Sequence, residues 1–210
     1  MDTAHIADLL QPYLATPLSE MQLRQVATYR DLLVRWNAKT NLTAVRQPDE
    51  MVQRHFGESF FAAAQLVAEG TPRTAFDLGS GAGFPGLPLS IYAPQVSVTL
   101  IESQNKKATF LKEVVRTLQL KNVTVVAERA ETLAGKTRAK LVTMRAVEKF
   151  AASATLAAEL LQSGGRHALL IGVAQAEEAC RLLPGLSWHP PVAIPGGNAR
   201  VLFVGKALVD

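Results

Sequence analysis

Apolar positions recur at helical spacing through the first seventy residues and in short alternating runs after them. Leu9, Leu10, Tyr13 and Leu14 make a short apolar face, and Leu23, Val26, Ala27, Arg30, Leu33 and Val34 space out a longer helix. Ser19 stands where that helix needs an N-cap, and the polar run from Asn37 to Asn41 ends it near Trp36. Pro48–Asp49–Glu50 gives the next helix an acidic first turn, which suits the positive end of a helix dipole. That helix is predicted to run to Glu69 and stop at Gly70–Thr71–Pro72.

After Pro72 strands and helices alternate. The pattern predicts strands at Thr74–Leu78, Val96–Glu102, Val123–Ala127, Lys140–Met144, His167–Ile171, Trp188–Ala193 and Val201–Val204. Helices fill the gaps, most clearly Lys106–Leu120, Ala151–Leu161 and Gln175–Leu182. Short connections between alternating elements imply an α/β fold with a mainly parallel seven-stranded sheet covered on both faces. Only Pro195–Asn198 separates the last two strands, a hairpin-length turn, so the last strand is expected antiparallel. The division expected is an N-terminal helical extension over 1–70, packed on the core, and a main domain over 71–210.

Charge adds a second layer. The net charge is +4, but residues 1–70 hold six Lys/Arg against eight Asp/Glu while 103–149 hold eleven against four, a local balance of +7. A cationic mid-section suits a polyanion such as RNA, although lysines on a solvated helix face look the same in sequence. The single cysteine, Cys180, can make neither an internal disulfide nor a structural zinc site, and no metal is expected. The first twenty residues carry Asp2, His5, Asp8 and Glu20 and lack the apolar core of a secretory signal. The longest apolar stretches, such as Ala168–Ala174, fall short of the roughly 20 residues a membrane helix needs. The expectation is a cytoplasmic monomer with no membrane partner.

The segment with the most chemistry is Asp77–Leu78–Gly79–Ser80–Gly81–Ala82–Gly83–Phe84–Pro85–Gly86, between a strand and a helix. Glycines permit a tight turn and close ligand approach. The helix behind the turn is expected to offer free N–H groups to an anion, either a pyrophosphate or an amino-acid carboxylate. Gly81–Gly86 also satisfies G-x-G-x-x-G, so a nicotinamide dinucleotide is a competing ligand, and Glu102 at the next strand end would hold ribose hydroxyls in either case. Asp77, two residues before the first glycine, and the antiparallel ending favour S-adenosylmethionine.

With these residues placed, the chain resembles the ribosomal RNA small subunit methyltransferase G family, also known as glucose-inhibited division protein B. The resemblance is carried by Trp36–Asn37 with Asn41–Leu42–Thr43–Ala44–Val45–Arg46, by Arg54–His55 and Ser59, and by the whole turn Gly79–Gly86. Lys106–Lys107 with Phe110–Leu111, Arg129–Ala130–Glu131 and Arg145–Ala146 extend it. The resemblance implies a Rossmann-like S-adenosylmethionine-dependent methyltransferase fold that acts on a guanine nitrogen-7 in 16S ribosomal RNA, free or in the small ribosomal subunit. It puts Asp77, Gly79, Gly81, Gly83 and Phe84 at the cofactor, Glu102 on the ribose, Ala130 and Glu131 beside the adenine, and Arg145 between cofactor and target base. His55, Lys106 and Lys107 are the RNA-binding candidates. Three positions depart from the family pattern: Met144 stands for a usual serine, Glu58 for an aspartate, and Ile171 for a lysine that could touch RNA phosphate.

The residues fit that chemistry. Nitrogen-7 of guanine already exposes a lone pair, so no proton has to be removed and catalysis can rest on positioning and exclusion of water. Cytosine-carbon methylation needs a nucleophilic thiol, and Cys180 lies in the acidic segment Glu177–Glu178–Ala179–Cys180. Exocyclic-amine methylation usually shows Asn/Asp-Pro-Pro-aromatic after the fourth strand, where this chain reads Thr143–Met144–Arg145–Ala146–Val147. Arg145 is the candidate catalytic residue, since a guanidinium stacks on a base and pairs with phosphate. Its bland alternative is an ion pair with Glu131 or Glu148. Trp36 and Trp188 read as core. A small-molecule methyltransferase, an NAD-dependent oxidoreductase and an S-adenosylmethionine-binding RNA-associated regulator are the other functions compatible with the chain.

Overall fold

The computed structural model describes residues 2–146 and 149–209. Helices α1 (Thr3–Leu10), α2 (Glu20–Thr40), α3 (Pro48–Met51) and α4 (Glu58–Ala68) precede the first strand. Ser19 does cap α2: its Oγ accepts the Gln22 N–H while the Gln22 side chain accepts the Ser19 N–H, two otherwise orphaned donors satisfied at once. The helix runs one turn past the expected end and stops where Asn41 turns left-handed, at φ 48°. Its inner face differs from the expected one: Tyr29 and Leu32 are buried and Val34 is exposed. Between α3 and α4 the backbone widens into a π-helical turn over Val52–Gly57, so the single predicted helix after Pro48 contains a change of pitch.

The sheet is built from β1 (Thr74–Leu78), β2 (Ser97–Ile101), β3 (Val123–Val126), β4 (Ala139–Arg145), β5 (Leu161–Gly172), β6 (Leu186–Trp188), β7 (Val192–Ala193) and β8 (Arg200–Ala207). Helices α5 (Gly86–Tyr92), α6 (Asn105–Thr117), α7 (Phe150–Glu159) and α8 (Ala174–Leu182) connect them. Strand order is β3-β2-β1-β4-β5-β8-β6, with β7 also on β8. Strands β1 to β5 pair in parallel and β8 runs antiparallel to β5 in register Ala168↔Val204. The expected strand Trp188–Ala193 is two pieces, β6 and β7, because Pro190 and Pro191 lie in its middle and have no N–H to give a ladder. The fifth strand is longer than expected and begins at Leu161.

Alternate residues feed two cores. Ala75, Val98, Leu100, Leu141 and Leu170 face a cluster that also takes Ile6, Tyr29, Phe56 and Phe60 from the helices preceding β1. Phe76, Ile101, Val142, Leu169 and Phe203 face the other, with Ala154, Ala157 and Ala179 from α7 and α8. This period of two is why neighbouring residues of one parallel strand, such as Ala75 and Phe76 or Leu141 and Val142, are both apolar. Among the described residues, no helix is long and apolar enough to cross a membrane.

Candidate active site

The chain goes from β1 outward to β2 and β3, then returns to β4 on the other side of β1, so a crevice opens above the carboxyl ends of β1 and β4. A cleft of about 530 Å³ occupies that place, within the size range of small-molecule sites. Its walls include Gly79, Gly81, Phe84, Glu102, Ala130 and Glu131. His55, Lys107 and Arg145 reach it as well, together with Thr43, quoted above only as part of a motif and given no site role, and Gln104, which the sequence did not single out.

One wall is built by two neighbouring strand ends. The Glu102 carboxylate is 5% exposed, accepts the Gly81 N–H at 2.9 Å through Oε2 and the Gln104 N–H at 2.8 Å through Oε1. Both oxygens are thereby fixed, with lone pairs left over for hydroxyl donors. Gly81 sits at φ +57°, and a Cβ there would have only the Gly79 carbonyl oxygen, at 3.7 Å, within 4 Å. The missing side chain leaves open space beside a preset carboxylate, which fits the ribose and amino-acid portions of S-adenosylmethionine.

Beneath that wall lies a buried frame. Gly83, at φ +94°, has no room for a Cβ, which would meet Leu87 at 2.4 Å and the Tyr29 hydroxyl at 2.5 Å. That hydroxyl donates to the Ala82 carbonyl, and the Tyr29 ring stacks on Phe84 at 5.2 Å, so α2 closes the glycine turn from behind. Burial, helped by the nearby Asp77 charge, pushes the Tyr29 pKa well above its usual value and keeps it a donor.

Asp77 belongs to the frame and not to the cleft wall. It is 1% exposed, takes the Thr143 hydroxyl at 2.7 Å on Oδ1 and the Gly86 N–H at 3.2 Å on Oδ2. Burial raises its pKa to about 6, with hydrogen bonds from Thr143, Ser80 and Gly86 and the Arg145 charge working against the rise. The first N–H of α5 is therefore occupied by the chain's own carboxylate, which corrects the expectation that this helix end offers itself to a ligand anion. Asp77 and Gly83 shape the turn from inside. Lys106 also lies off the cleft wall, exposed on α6, whereas Lys107 of the same helix is half-buried in it.

The opposite wall comes from the segment between α2 and α4. Arg145, at the end of β4, is 12% exposed. Its Nη2 donates to the Arg54 carbonyl at 2.8 Å and lies 3.2 Å from His55 Nδ1 and 3.3 Å from Glu58 Oε2, so three partners share its two hydrogens. Glu58 also receives Arg200 on its other oxygen. The expected partners Glu131 and Glu148 give way to Glu58: Glu131 has no ion pair with Arg145, and Glu148 lies outside the described residues. Burial lowers the Arg145 pKa, with Glu58 holding it up.

His55 is 5.1 Å from the Phe84 ring, stacked on it. Burial, then the Arg145, Arg54 and Arg200 charges, pull its pKa down to about 3, so it is neutral at physiological pH. Both ring nitrogens are spent inside the protein, on Arg145 and on Thr43 Oγ1 at 2.7 Å. This corrects the expectation of an RNA-binding histidine: no charge and no spare nitrogen remains for a phosphate. Two further expectations change. Ile171 is 5% exposed and packs in the second core, so a lysine there would enter apolar surroundings away from the cleft wall. Met144 is likewise core. Trp36 bonds Glu113 at 3.0 Å and Trp188 stacks on Phe203 at 4.4 Å, both structural as expected. Cys180 is exposed on α8, and the described residues contain no His/Cys/Asp/Glu group able to hold a metal.

Residues 22–183 match the family model for rRNA small subunit methyltransferase G. The chain belongs to that family. A ribosomal RNA small subunit methyltransferase G from Chromobacterium violaceum is 37% identical, covering 98% of this chain and 99% of its own length. One from Chloroflexus aggregans is 40% identical over 90% of this chain and 83% of its own. Among solved structures, magnesium protoporphyrin IX methyltransferase from Synechocystis, with bound SAM, superposes with a TM-score of 0.65 at 14% identity, over 85% of this chain and 97% of that one. That likeness establishes the Rossmann-like S-adenosylmethionine-dependent methyltransferase fold. As a methyltransferase G family member the chain is an S-adenosylmethionine-dependent ribosomal RNA methyltransferase.

Proposed function

We propose that this chain methylates nitrogen-7 of one guanine in 16S ribosomal RNA, acting as a cytoplasmic monomer with S-adenosylmethionine as donor. The observation that carries the reading is the cleft itself: a side-chain-free turn and a preset carboxylate on one wall, an arginine and a hydroxyl on the other. When bound, the cofactor supplies a methyl group on a sulfonium, ready for direct displacement. Glu102 would hold the ribose, Gly79, Gly81 and Phe84 would line the cofactor's path, and Ala130 with Glu131 would flank the adenine. Residues 1–70 serve as a helical extension that completes the cleft on the core formed by 71–210.

The proposed reaction asks no group of the walls to take a proton, because the nitrogen-7 lone pair is already free. His55 has both nitrogens engaged and stays neutral. What the protein contributes is alignment and exclusion of water, the terms a lone-pair nucleophile needs. Arg145, held by Arg54, His55 and Glu58, sets the wall against which the base is placed. Lys107 at the cleft and Lys106 beside it on α6 would meet the phosphate backbone.

The test is borohydride–aniline cleavage of 16S RNA taken from cells lacking the gene and then treated with the purified protein and S-adenosylmethionine. One new cleavage at a single guanine is expected. Methyl incorporation without cleavage would place the product elsewhere than nitrogen-7.

A further inference from the structure

Thr43 is the most tightly specified residue in the cleft wall. Asn37, 3% exposed, accepts the Thr43 N–H at 2.9 Å and donates to the Thr43 carbonyl at 3.0 Å, so both backbone groups are fixed by one side chain. The Thr43 Oγ1 accepts the Val45 N–H at 3.1 Å and lies 2.7 Å from His55 Nε2. The direction of that second bond follows from the far side of the ring. A guanidinium only donates, so His55 Nδ1, 3.2 Å from Arg145 Nη2, must be the acceptor nitrogen. The hydrogen then sits on Nε2 and points at Thr43. Both lone pairs of Oγ1 are taken, and its own hydrogen has no acceptor among the described residues.

A threonine hydroxyl normally donates and accepts and so discriminates poorly between ligand groups. Here the relay Arg145→His55→Thr43 leaves it a donor only, in the wall of the cleft. We propose that Thr43 is a specificity-determining residue that donates its hydroxyl hydrogen to the 6-oxo group of the target purine, with His55 and Arg145 as positioning residues behind it. The proposal rests on the nitrogen-7 guanine reading above. Guanine presents nitrogen-7 and the 6-oxo group side by side as acceptors, whereas adenine presents nitrogen-7 beside a 6-amino donor. A donor-only hydroxyl next to the reacting nitrogen welcomes the first and opposes the second. A site left with a donor facing a donor rejects the wrong base strongly.

The test uses the full chain and small-subunit particles whose target position carries either guanine or 2,6-diaminopurine, which replaces the 6-oxo group by an amine and keeps nitrogen-7. Wild-type protein should prefer guanine by about tenfold or more in kcat/KM. Thr43→Val should lose at least about tenfold on guanine and show little preference left between the two bases. Its affinity for S-adenosylhomocysteine by calorimetry should stay within about twofold of wild type, a change worth less than one hydrogen bond. Thr43→Ser, which keeps the hydroxyl, should recover the preference. A merely structural role would lower both substrates equally, so Thr43→Val that retains the wild-type ratio overturns the assignment, as does cofactor affinity falling in step with rate. Wild-type protein that leaves nitrogen-7 of guanine unmethylated would instead overturn the underlying function.

Discussion

The Glu102 carboxylate accepts the Gly81 backbone N–H at 2.9 Å, tying the end of β2 to the turn after β1. With the Gln104 N–H on its other oxygen, the group is aimed before any ligand arrives. A preset acceptor loses little on binding, so its removal should be felt mainly as affinity. Glu102→Ala is expected to weaken S-adenosylhomocysteine binding by roughly 10- to 100-fold, about one to two hydrogen bonds to a charged acceptor. Calorimetry with a melting curve on the same sample separates this from unfolding; unchanged affinity would remove Glu102 from the cofactor site.

Glu58 and Arg145 make the second testable contact. The Glu58 carboxylate is almost fully buried and serves both Arg145 and Arg200. Glu58→Gln leaves two guanidinium groups facing a neutral amide and should cost about 3–5 kcal/mol of stability. Arg145→Ala leaves Glu58 still paired with Arg200 and should cost less, about 2 kcal/mol. Urea midpoints of both variants give the comparison, and Arg145→Ala proving the more damaging would contradict it.

Acid should weaken the fold through its histidines. His167, fully buried in β5, donates from one ring nitrogen to the Val142 carbonyl, and burial lowers its pKa to about 4, while His55 falls to about 3. The unfolded chain takes up these protons near pH 6.5 and the folded one much later. Stability is therefore complete above pH 6.5 and is lost as pH falls towards 4, on the order of 3 kcal/mol per histidine. Asp77, raised to about 6, acts in the opposite sense: the folded state binds its proton first and gains between about pH 6 and pH 4. Two losses against one gain leave a net fall. His167→Gln should flatten the dependence of unfolding free energy on pH in this window, and an unaltered slope would contradict the assignment.

Much of the site was legible in the sequence. The change from helical to alternating spacing at Pro72, the glycine turn, Glu102 at a strand end and Ser19 as a cap are local patterns, and local patterns survive in a string. What was not legible depends on partners far apart along the chain. Nothing near Tyr29 announces Ala82, and nothing near Asn37 says that its amide will clamp Thr43 across a left-handed Asn41. Asp77 looked like a ligand because acidic residues at strand ends face the cleft or the interior with identical sequence signatures. Only the position of Thr143 on β4 and the Gly86 N–H decide for the interior. Arg145 met Glu58, 87 residues away, and not an acid of its own neighbourhood.

Ile171 shows the same lesson as a prediction. With its side chain in the core beside Leu169 and Phe203, Ile171→Lys should destabilise the protein by about 2–3 kcal/mol and leave the salt dependence of RNA binding unchanged. A steeper salt dependence with unchanged stability would mean that the lysine reaches RNA.

The cofactor's place in the glycine turn is tested most directly by titrating S-adenosylhomocysteine into wild-type protein and Gly81→Asp. Position 81 faces open space at φ +57°, a conformation aspartate tolerates better than most residues, so the variant should fold. Its added carboxylate would stand in the cleft beside Glu102. The expected result is one site per chain in the wild type and no measurable heat in Gly81→Asp at matched melting temperature. Equal affinity in the two proteins would contradict the account.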